Sequence, residues 1–537
     1  MSTGILKFDS NGLKVLIVEL GLERTWKAIL STHIKSLNRP NLSYILKSKE
    51  FANSDVLEKD FIQGLSIGEV SVLYEFSVAL VNPDDRKDNG QFFTPDDVAT
   101  FMASMATKGP FSKSGVWLDP CSGIGNLSWH LANMQSNPEE FVSEKLILSD
   151  RDELALLIAR TLFVIGFQNK NNRLFHDLEK RFVRFDFLSV PKANEIGMAG
   201  FGHDLDDIPP HDYVIVNPPY LATARDDRFE TAVAADLYAY FLENIIKSSS
   251  GFISVTPQSF TNASKFKSLR KLLLNYSFLN IYCFDNVPGN IFRGFKFGSK
   301  NSNTSNSIRA AITVASNVGA SQAITPLIRW TSSQRGVLFQ QLDNFLCSPK
   351  LTEEFFPKVH PKFLKLYKTF TGRGQQTLGD IVSSRGEYEL YVPSSPRYFI
   401  VALKKPVSRA SMHTLYFSSK SKRDLAYLIL NSSFTYWWWR VRDGGMTLSQ
   451  QTLMSIPIPE GAPNSTSLVR LLEDSELTNK VFKKNAGVNQ ENVKHDSTLV
   501  SKINNLLFPA WADALQTLHA NSEITIMQLS QVNKKKK

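Results

Sequence analysis

Cysteine is scarce in this sequence: Cys121, Cys283 and Cys347 are the three among 537 residues, and they lie far apart. Three such residues build no disulfide framework, and without a Cys-x-x-Cys pair they form no zinc site of the usual spacing. A reducing, cytoplasmic setting is expected. No run approaches about 18 consecutive apolar residues, the length a membrane-spanning helix needs. Met1 to Ser10 lacks a basic start followed by an apolar core, so no secretory signal is expected. The nine histidines show no metal-ligand spacing, and no internal repeat is present. Residues 1–90 hold no cluster of acids with a neighbouring Lys of the kind a metal-dependent nuclease uses.

What is present is a full globular composition, 42% hydrophobic and 21% charged. That balance excludes a mostly disordered chain, and the length predicts two or three domains. The net charge of +10 is unevenly spread. Residues 321–537 carry 28 Lys and Arg against 16 Asp and Glu, whereas the preceding 320 residues carry 33 against 35. A polyanion such as nucleic acid is the natural partner for the basic part. The Lys534 to Lys537 tail supplies four of the charges, and a solubilising surface is the plainer alternative.

Hydrophobic periodicity divides the chain further. Residues 1–88 read as a helical segment, with Leu13, Leu16, Ile17 and Leu20 at helical spacing and a second apolar periodic stretch from Phe61 to Leu80. The polar run Asn82 to Gly90 is a loop and a candidate boundary. Residues 89–322 then alternate strands and helices. Strands are expected at Val116–Asp119, Lys145–Asp150, Val183–Phe187, Tyr213–Val216, Gly251–Val255 and Ile308–Val314. Helices are expected from Leu127, from Glu153 and from Leu237. This alternation predicts an α/β domain, a parallel sheet with helices on both faces. Residues 323–537 lose the alternation and read as a mixed α+β domain rich in Lys and Arg.

Four acidic or amide positions follow these strands. Asp119-Pro-Cys-Ser-Gly-Ile-Gly-Asn126 joins a strand to a helix, and Gly123 and Gly125 permit a tight turn at a helix N-terminus where a ligand approaches. The third glycine of a dinucleotide fingerprint is absent, and a simple strand–helix turn is the alternative. Asp150 ends the next strand, where a carboxylate suits the two hydroxyls of a ribose. Its alternative is a helix N-cap. Asp186, near the end of the following strand, suits an adenine amino group, with Phe187 packed on the ring. The fourth strand ends in Asn217-Pro218-Pro219-Tyr220. Two prolines fix the backbone, so that the Asn217 side-chain oxygen and the Pro218 carbonyl can face one exocyclic amine. Two acceptors there weaken conjugation with the ring and localise a nucleophilic lone pair. Tyr220 offers a flat face to the base.

With these residues in place, the sequence resembles the N6-adenine DNA methyltransferases that use S-adenosylmethionine. The resemblance covers roughly residues 88–318. It implies a Rossmann-like methyltransferase sheet, with Asn217, Pro218, Pro219 and Tyr220 as the catalytic motif. By the same resemblance Thr94 and Pro95 line the methionine part of the cofactor, and Asp119, Gly123 and Gly125 form the cofactor turn. Asp150 would be the ribose ligand, and Asp186 with Phe187 the adenine site. Cofactor motifs, catalytic motif and then a basic region is the gamma order, in which residues 323–537 act as the target-recognition domain. Phe292, in Asn290-Ile-Phe-Arg, matches an aromatic residue that packs on a flipped adenine, with Phe295 a nearby competitor.

The C-terminal region carries Tyr436-Trp-Trp-Trp-Arg440-Val-Arg442, a polar loop to Gln450 and Gln451, and Ile456-Pro-Ile-Pro459. Arg440 and Arg442 are candidate phosphate contacts, and Gln450 or Gln451 candidate readers of a base edge. The alternative places the tryptophans in a core and the arginines on ordinary surface. The expected activity is methyl transfer to a flipped adenine in double-stranded DNA, as the modification enzyme of a restriction-modification system. A cognate restriction endonuclease acting on the same sequence is a candidate partner. No metal is expected, because a sulfonium is already activated. A type I-like modification subunit, or an enzyme acting on protein glutamine or RNA, is the competing expectation.

Overall fold

The computed structural model describes residues 9–81, 94–189, 210–286, 289–292, 308–396, 399–409, 411–443, 447–485 and 488–521. The chain divides into two compact units, Met1–Phe260 with Ser264–Gln322, and Thr261–Ala263 with Ala323–Lys537.

The first unit is built on an eight-stranded sheet of order β3-β2-β1-β4-β5-β7-β6-β8. Its strands are β1 (Trp117–Asp119), β2 (Leu146–Asp150), β3 (Phe182–Arg184), β4 (Tyr213–Val216), β5 (Gly251–Pro257), β6 (Phe278–Phe284), β7 (Ala310–Ser316) and β8 (Ser321–Ile324). Leu118 pairs with Ile147 of β2 on one side and with Val214 of β4 on the other, both parallel. The strand order therefore reverses beside β1, and a crevice opens beyond the carboxyl ends at such a reversal. The central strands are buried almost throughout because both faces are covered.

The expectation of a wholly parallel sheet needs correcting at its far edge. β7 lies between β5 and β6 and runs antiparallel to both. Alternating strands and helices signal parallel pairing only where a helix returns the chain, and the pattern ends at β6. A smaller shift matters for the site. β3 stops at Arg184, so Asp186 and Phe187 lie on the loop beyond it rather than within a strand.

Helices of the first unit include α1 (Ser10–Leu20), α2 (Leu22–Ser36), α3 (Ile67–Val81), α4 (Asp96–Lys108), α5 (Asn126–Asn133), α6 (Glu153–Phe167) and α7 (Leu237–Ser248). Residues 9–81 belong to this unit, and α2 contacts α6 and α3. Asp152 caps α6, its side chain accepting from the Leu154 and Ala155 amides. The helix buries ten side chains, among them Ile158, Phe163 and Phe167, and each large apolar one contributes about 1.5–3 kcal/mol of transfer free energy. Arg160 is buried in the same helix, paired with Glu50 at 2.5 Å and lying over the Phe175 ring at 4.1 Å.

The second unit pairs β9 (Tyr388–Pro393) antiparallel with β10 (Met412–Phe417), and β11 (Lys480–Asn485) antiparallel with β12 (Val488–Val493). Its helices include α8 (Lys420–Leu430), α9 (Ser433–Arg442), α10 (Thr466–Thr478) and α11 (Ser497–Leu507). Trp437, Trp438 and Trp439 of α9 are buried in its core with Tyr427, Phe434, Leu472 and Ile503. Phe434 stacks on Phe508 with ring centroids 4.5 Å apart.

Candidate active site

A cavity of about 610 Å³ opens where the strand order reverses. The carboxyl ends of β1, β2 and β4 and the loop after β3 deliver Asp119, Asp150, Asn217 and Asp186 to its wall. These four positions, far apart in sequence, share one cavity because parallel strands all end at the same edge of a sheet.

The turn after β1 has the conformation that the glycines foreshadow. Gly123 and Gly125 have φ of 53° and 85°, a left-handed backbone that glycine adopts without penalty. At Gly125 a Cβ would stand 2.7 Å from the Phe163 ring and 2.9 Å from Leu148. The turn therefore lies directly on the core. Asp150 braces it from β2: one carboxylate oxygen accepts the Gly123 amide at 2.7 Å, and the other accepts the Asp152 amide at 3.0 Å. The helix N-cap is Asp152 rather than Asp150, so capping does not account for Asp150.

Asp119 is 1% exposed. Its Oδ2 accepts from the Ser128 hydroxyl at 2.9 Å, while Oδ1 is buried without a hydrogen-bond partner. Burial pushes this carboxyl up to about 7, with the Asp150 charge adding to the rise and the Ser128 hydroxyl opposing it. Asp150 is also raised, again chiefly by burial. Asn126 leaves a second buried acceptor without a partner, its Oδ1.

Phe187 is buried and stacks on Phe241 of α7, centroids 5.6 Å apart at 26°. Its carbonyl accepts the Asn244 amide at 3.0 Å. Asp186 is exposed, with its Oδ1 accepting the Leu188 amide at 3.1 Å and Arg151 standing 4.0 Å away. Thr94 is buried in the cavity wall. Pro95 follows as the residue preceding α4, and its carbonyl takes the Ala99 amide.

Asn217, Pro218 and Pro219 line the cavity at the end of β4. The Asn217 amide nitrogen donates to Thr94 Oγ1 at 2.8 Å. The Tyr220 hydroxyl lies 2.6 Å from Asn217 Oδ1 and 2.7 Å from the Val255 carbonyl. The Cys121 thiol donates to the Asn217 carbonyl at 3.3 Å. The Phe292 ring stands 6.0 Å from that of Tyr220, inclined at 61°, so this pair is brought together although 72 positions separate them. Phe295 and Gly90–Phe93 lie outside the described residues.

The two arginines of α9 both lie against aromatic rings. Arg440 is buried, and its guanidinium lies 5.6 Å from the Trp439 ring. Arg442 lies over Phe355 at 3.9 Å, and burial lowers its pKa. Gln450 and Gln451 are exposed at the start of a short helix.

Sequence reasoning missed contributors from three helices. Asn126 reads as a mere helix start. Leu237 and Phe241 are one turn apart on α7, an ordinary amphipathic spacing, yet both line the cavity. From α3, Ser71, Tyr74 and Glu75 also line it, and the Tyr74 hydroxyl donates to Asp152. Among the described residues no group of three or more His, Cys, Asp or Glu is placed to hold a metal ion. No helix among them is long and apolar enough to cross a membrane.

Residues 144–292 match the family described as Eco57I restriction-modification methylase. The chain is 26% identical over 200 residues to the type II methyltransferase M.BsuBI of Bacillus subtilis, covering 36% of this chain and 39% of that protein. The match thus spans well under half the length of that relative. Among solved structures it is similar to the methyltransferase subunit of a type I restriction-modification system from Streptococcus thermophilus, at 16% identity and a TM-score of 0.34. That match covers 55% of this chain and 60% of the other. It is also similar to the type IIG restriction endonuclease BpuSI, at 12% identity and a TM-score of 0.38, covering 95% and 78%.

Proposed function

We propose that this chain, which carries a restriction-modification methylase region, is an S-adenosylmethionine-dependent DNA methyltransferase acting on adenine N6, the modification activity of a restriction-modification system. The observation that carries the reading is the position of Asn217-Pro218-Pro219 on the wall of the same cavity as Asp119, Gly123 and Asp150.

The residues present fit the cofactor. Asp119 Oδ1 and Asn126 Oδ1 are two buried acceptors that lack partners, a donor-hungry pair suited to the ammonium of its amino-acid end. Each oxygen of the Asp150 carboxylate accepts one amide and keeps lone-pair capacity for a ribose hydroxyl. Phe187 and Phe241 give an aromatic wall for its adenine, with Asp186 beside it. Bound there, the cofactor supplies an electrophilic methyl group on a sulfonium.

The chain's own residues then act on the target amine. Adenine must leave the duplex to reach them, at a cost of a few kcal/mol. Stacking on Tyr220 and Phe292, about 1–3 kcal/mol per base, offsets that cost. Asn217 Oδ1 and the Pro218 carbonyl each accept one N–H of the amine. This holds the nitrogen in line and draws its lone pair out of the ring. No side chain needs to remove a proton beforehand, because the alkylated amine is acidic enough to release one to water.

The test is transfer of labelled methyl from S-adenosylmethionine to mixed-sequence duplex DNA, followed by nucleoside analysis. The expected product is N6-methyladenine. Label in N4-methylcytosine, in RNA or in protein glutamine overturns the assignment.

A further inference from the structure

In the second unit β11 and β12 form a ribbon, and neither pairs with a third strand among the described residues. Its foot is fixed. Val493, opposite Lys480 in the register, is buried with Val401 and Leu403. The Glu491 amide donates to the Ser408 carbonyl at 3.0 Å, and the Lys494 amide to the Asn479 carbonyl at 3.1 Å. Beyond the foot the ribbon is open. Successive residues of a strand face opposite sides, yet Val481 is 43% exposed and Phe482 69%. Neither face of β11 is packed away there.

Residues 480–494 carry four lysines, Lys480, Lys483, Lys484 and Lys494, against one acid, Glu491. That acid is paired with Lys480 at 2.8 Å. Glu491 stands opposite Phe482 in the register, and Asn489 is two residues before it, so Phe482 and Asn489 share a face. Asn489 is exposed. Lysine on an open edge keeps other strands from adding to it. That accounts for the lysines but not for Phe482, since an exposed aromatic on an open edge is the liability that lysine guards against. The same charge repels a second copy of the ribbon and attracts a polyanion. The major groove of duplex DNA admits a two-stranded ribbon. There Asn pairs with adenine edges and Phe packs on thymine methyl groups, while lysines reach phosphates.

We propose that the β11–β12 ribbon is a DNA-reading element of the second unit, laid in the major groove with Phe482 and Asn489 toward base edges and the lysines of β11 toward phosphates. The role rests on the DNA methyltransferase reading above and deepens it by naming residues that select the sequence. Two consequences follow. Phe482 and Asn489 act on which sites are methylated. Lys483 and Lys484 act on affinity for any duplex, whatever its sequence.

The test uses the full chain, with binding to mixed-sequence duplex DNA read by fluorescence anisotropy and methylated sites mapped by sequencing. Lys483→Gln combined with Lys484→Gln is expected to weaken binding about 10- to 100-fold at about 0.1 M salt and to flatten the salt slope by about 2. Phe482→Ala and Asn489→Ala are each expected to lower methylation of the wild-type site about 5- to 150-fold, the discrimination carried by one base contact. Each also widens the set of methylated sequences, with melting temperature unchanged. The proposal is overturned if these two variants methylate the wild-type sites at the wild-type rate, or if the lysine variant keeps the wild-type salt slope. It is equally overturned if the lysine variant shifts the elution of the protein in gel filtration, because the ribbon then meets a second copy. A lowered melting temperature in Phe482→Ala overturns it too, because the ring then serves the fold. Failure of the wild type to methylate duplex DNA is a different result: it removes the methyltransferase reading itself, and the proposal falls with it.

Discussion

Asp119 is a carboxyl buried on the cavity wall. Its carboxyl is raised from 3.8 to about 7 by burial, so the folded protein holds a proton there that the unfolded chain has released. Between those two values stability falls as pH rises, because the native state binds more protons. Above about 7 the loss is complete. Asp119→Asn is therefore predicted to flatten the decline in melting temperature between about pH 4 and 7, measured without cofactor. It is predicted also to weaken cofactor binding above about pH 7, where the wild-type carboxylate is charged and the amide is not. A variant that melts with the wild-type pH profile would contradict the assignment. At this scale the sequence is informative about which residues reach the site, and less so about what each does there. Asp119, Asp150 and Asn217 are legible because each ends an apolar strand. The contacts that join Asn126 and Asn217 to Thr94 are not, because hydrogen bonds spanning 32 and 123 positions leave no period in the sequence.

Among elements, the turn between β1 and α5 shows how one motif divides its labour. Gly123 and Gly125 both have positive φ, but nothing lies within 4 Å of a Cβ at Gly123, whereas one at Gly125 meets Phe163 and Leu148. Gly123→Ala is predicted to cost about 1 kcal/mol of stability, the backbone penalty alone. Gly125→Ala adds an overpacking cost and should lose about 2–4 kcal/mol. Urea denaturation of the two variants checks the ranking, and equal losses would contradict it. Most elements of the first unit follow from hydrophobic period. The direction of β7 does not, because its apolar run is the same whether it pairs parallel or antiparallel. The part α3 plays in the cavity wall is also hidden, since its period marks a buried face without naming what that face meets.

The whole chain joins an almost neutral set of 320 residues to a basic set of 217. If the basic part meets the phosphate backbone, affinity for duplex DNA should fall linearly with the logarithm of salt concentration, with a slope of about −0.9 for each phosphate neutralised. Fluorescence anisotropy between about 50 and 200 mM salt is predicted to give a steep slope. An affinity insensitive to salt would contradict DNA as the partner. The buried placement of Arg440 directs the search for phosphate contacts to exposed cations of that unit. Lys362, Lys365 and Arg373 are exposed there.

The account turns on Asn217 as the residue that holds the target amine beside the cofactor cavity. Its most direct test is single-turnover methyl transfer to duplex DNA by wild type and Asn217→Ala, with cofactor affinity measured on both. The account predicts N6-methyladenine with the wild type. It predicts a loss of about 100-fold or more in Asn217→Ala, the scale of removing one aligned polar group from a reacting centre, with cofactor affinity unchanged. Wild-type rates in Asn217→Ala would contradict it.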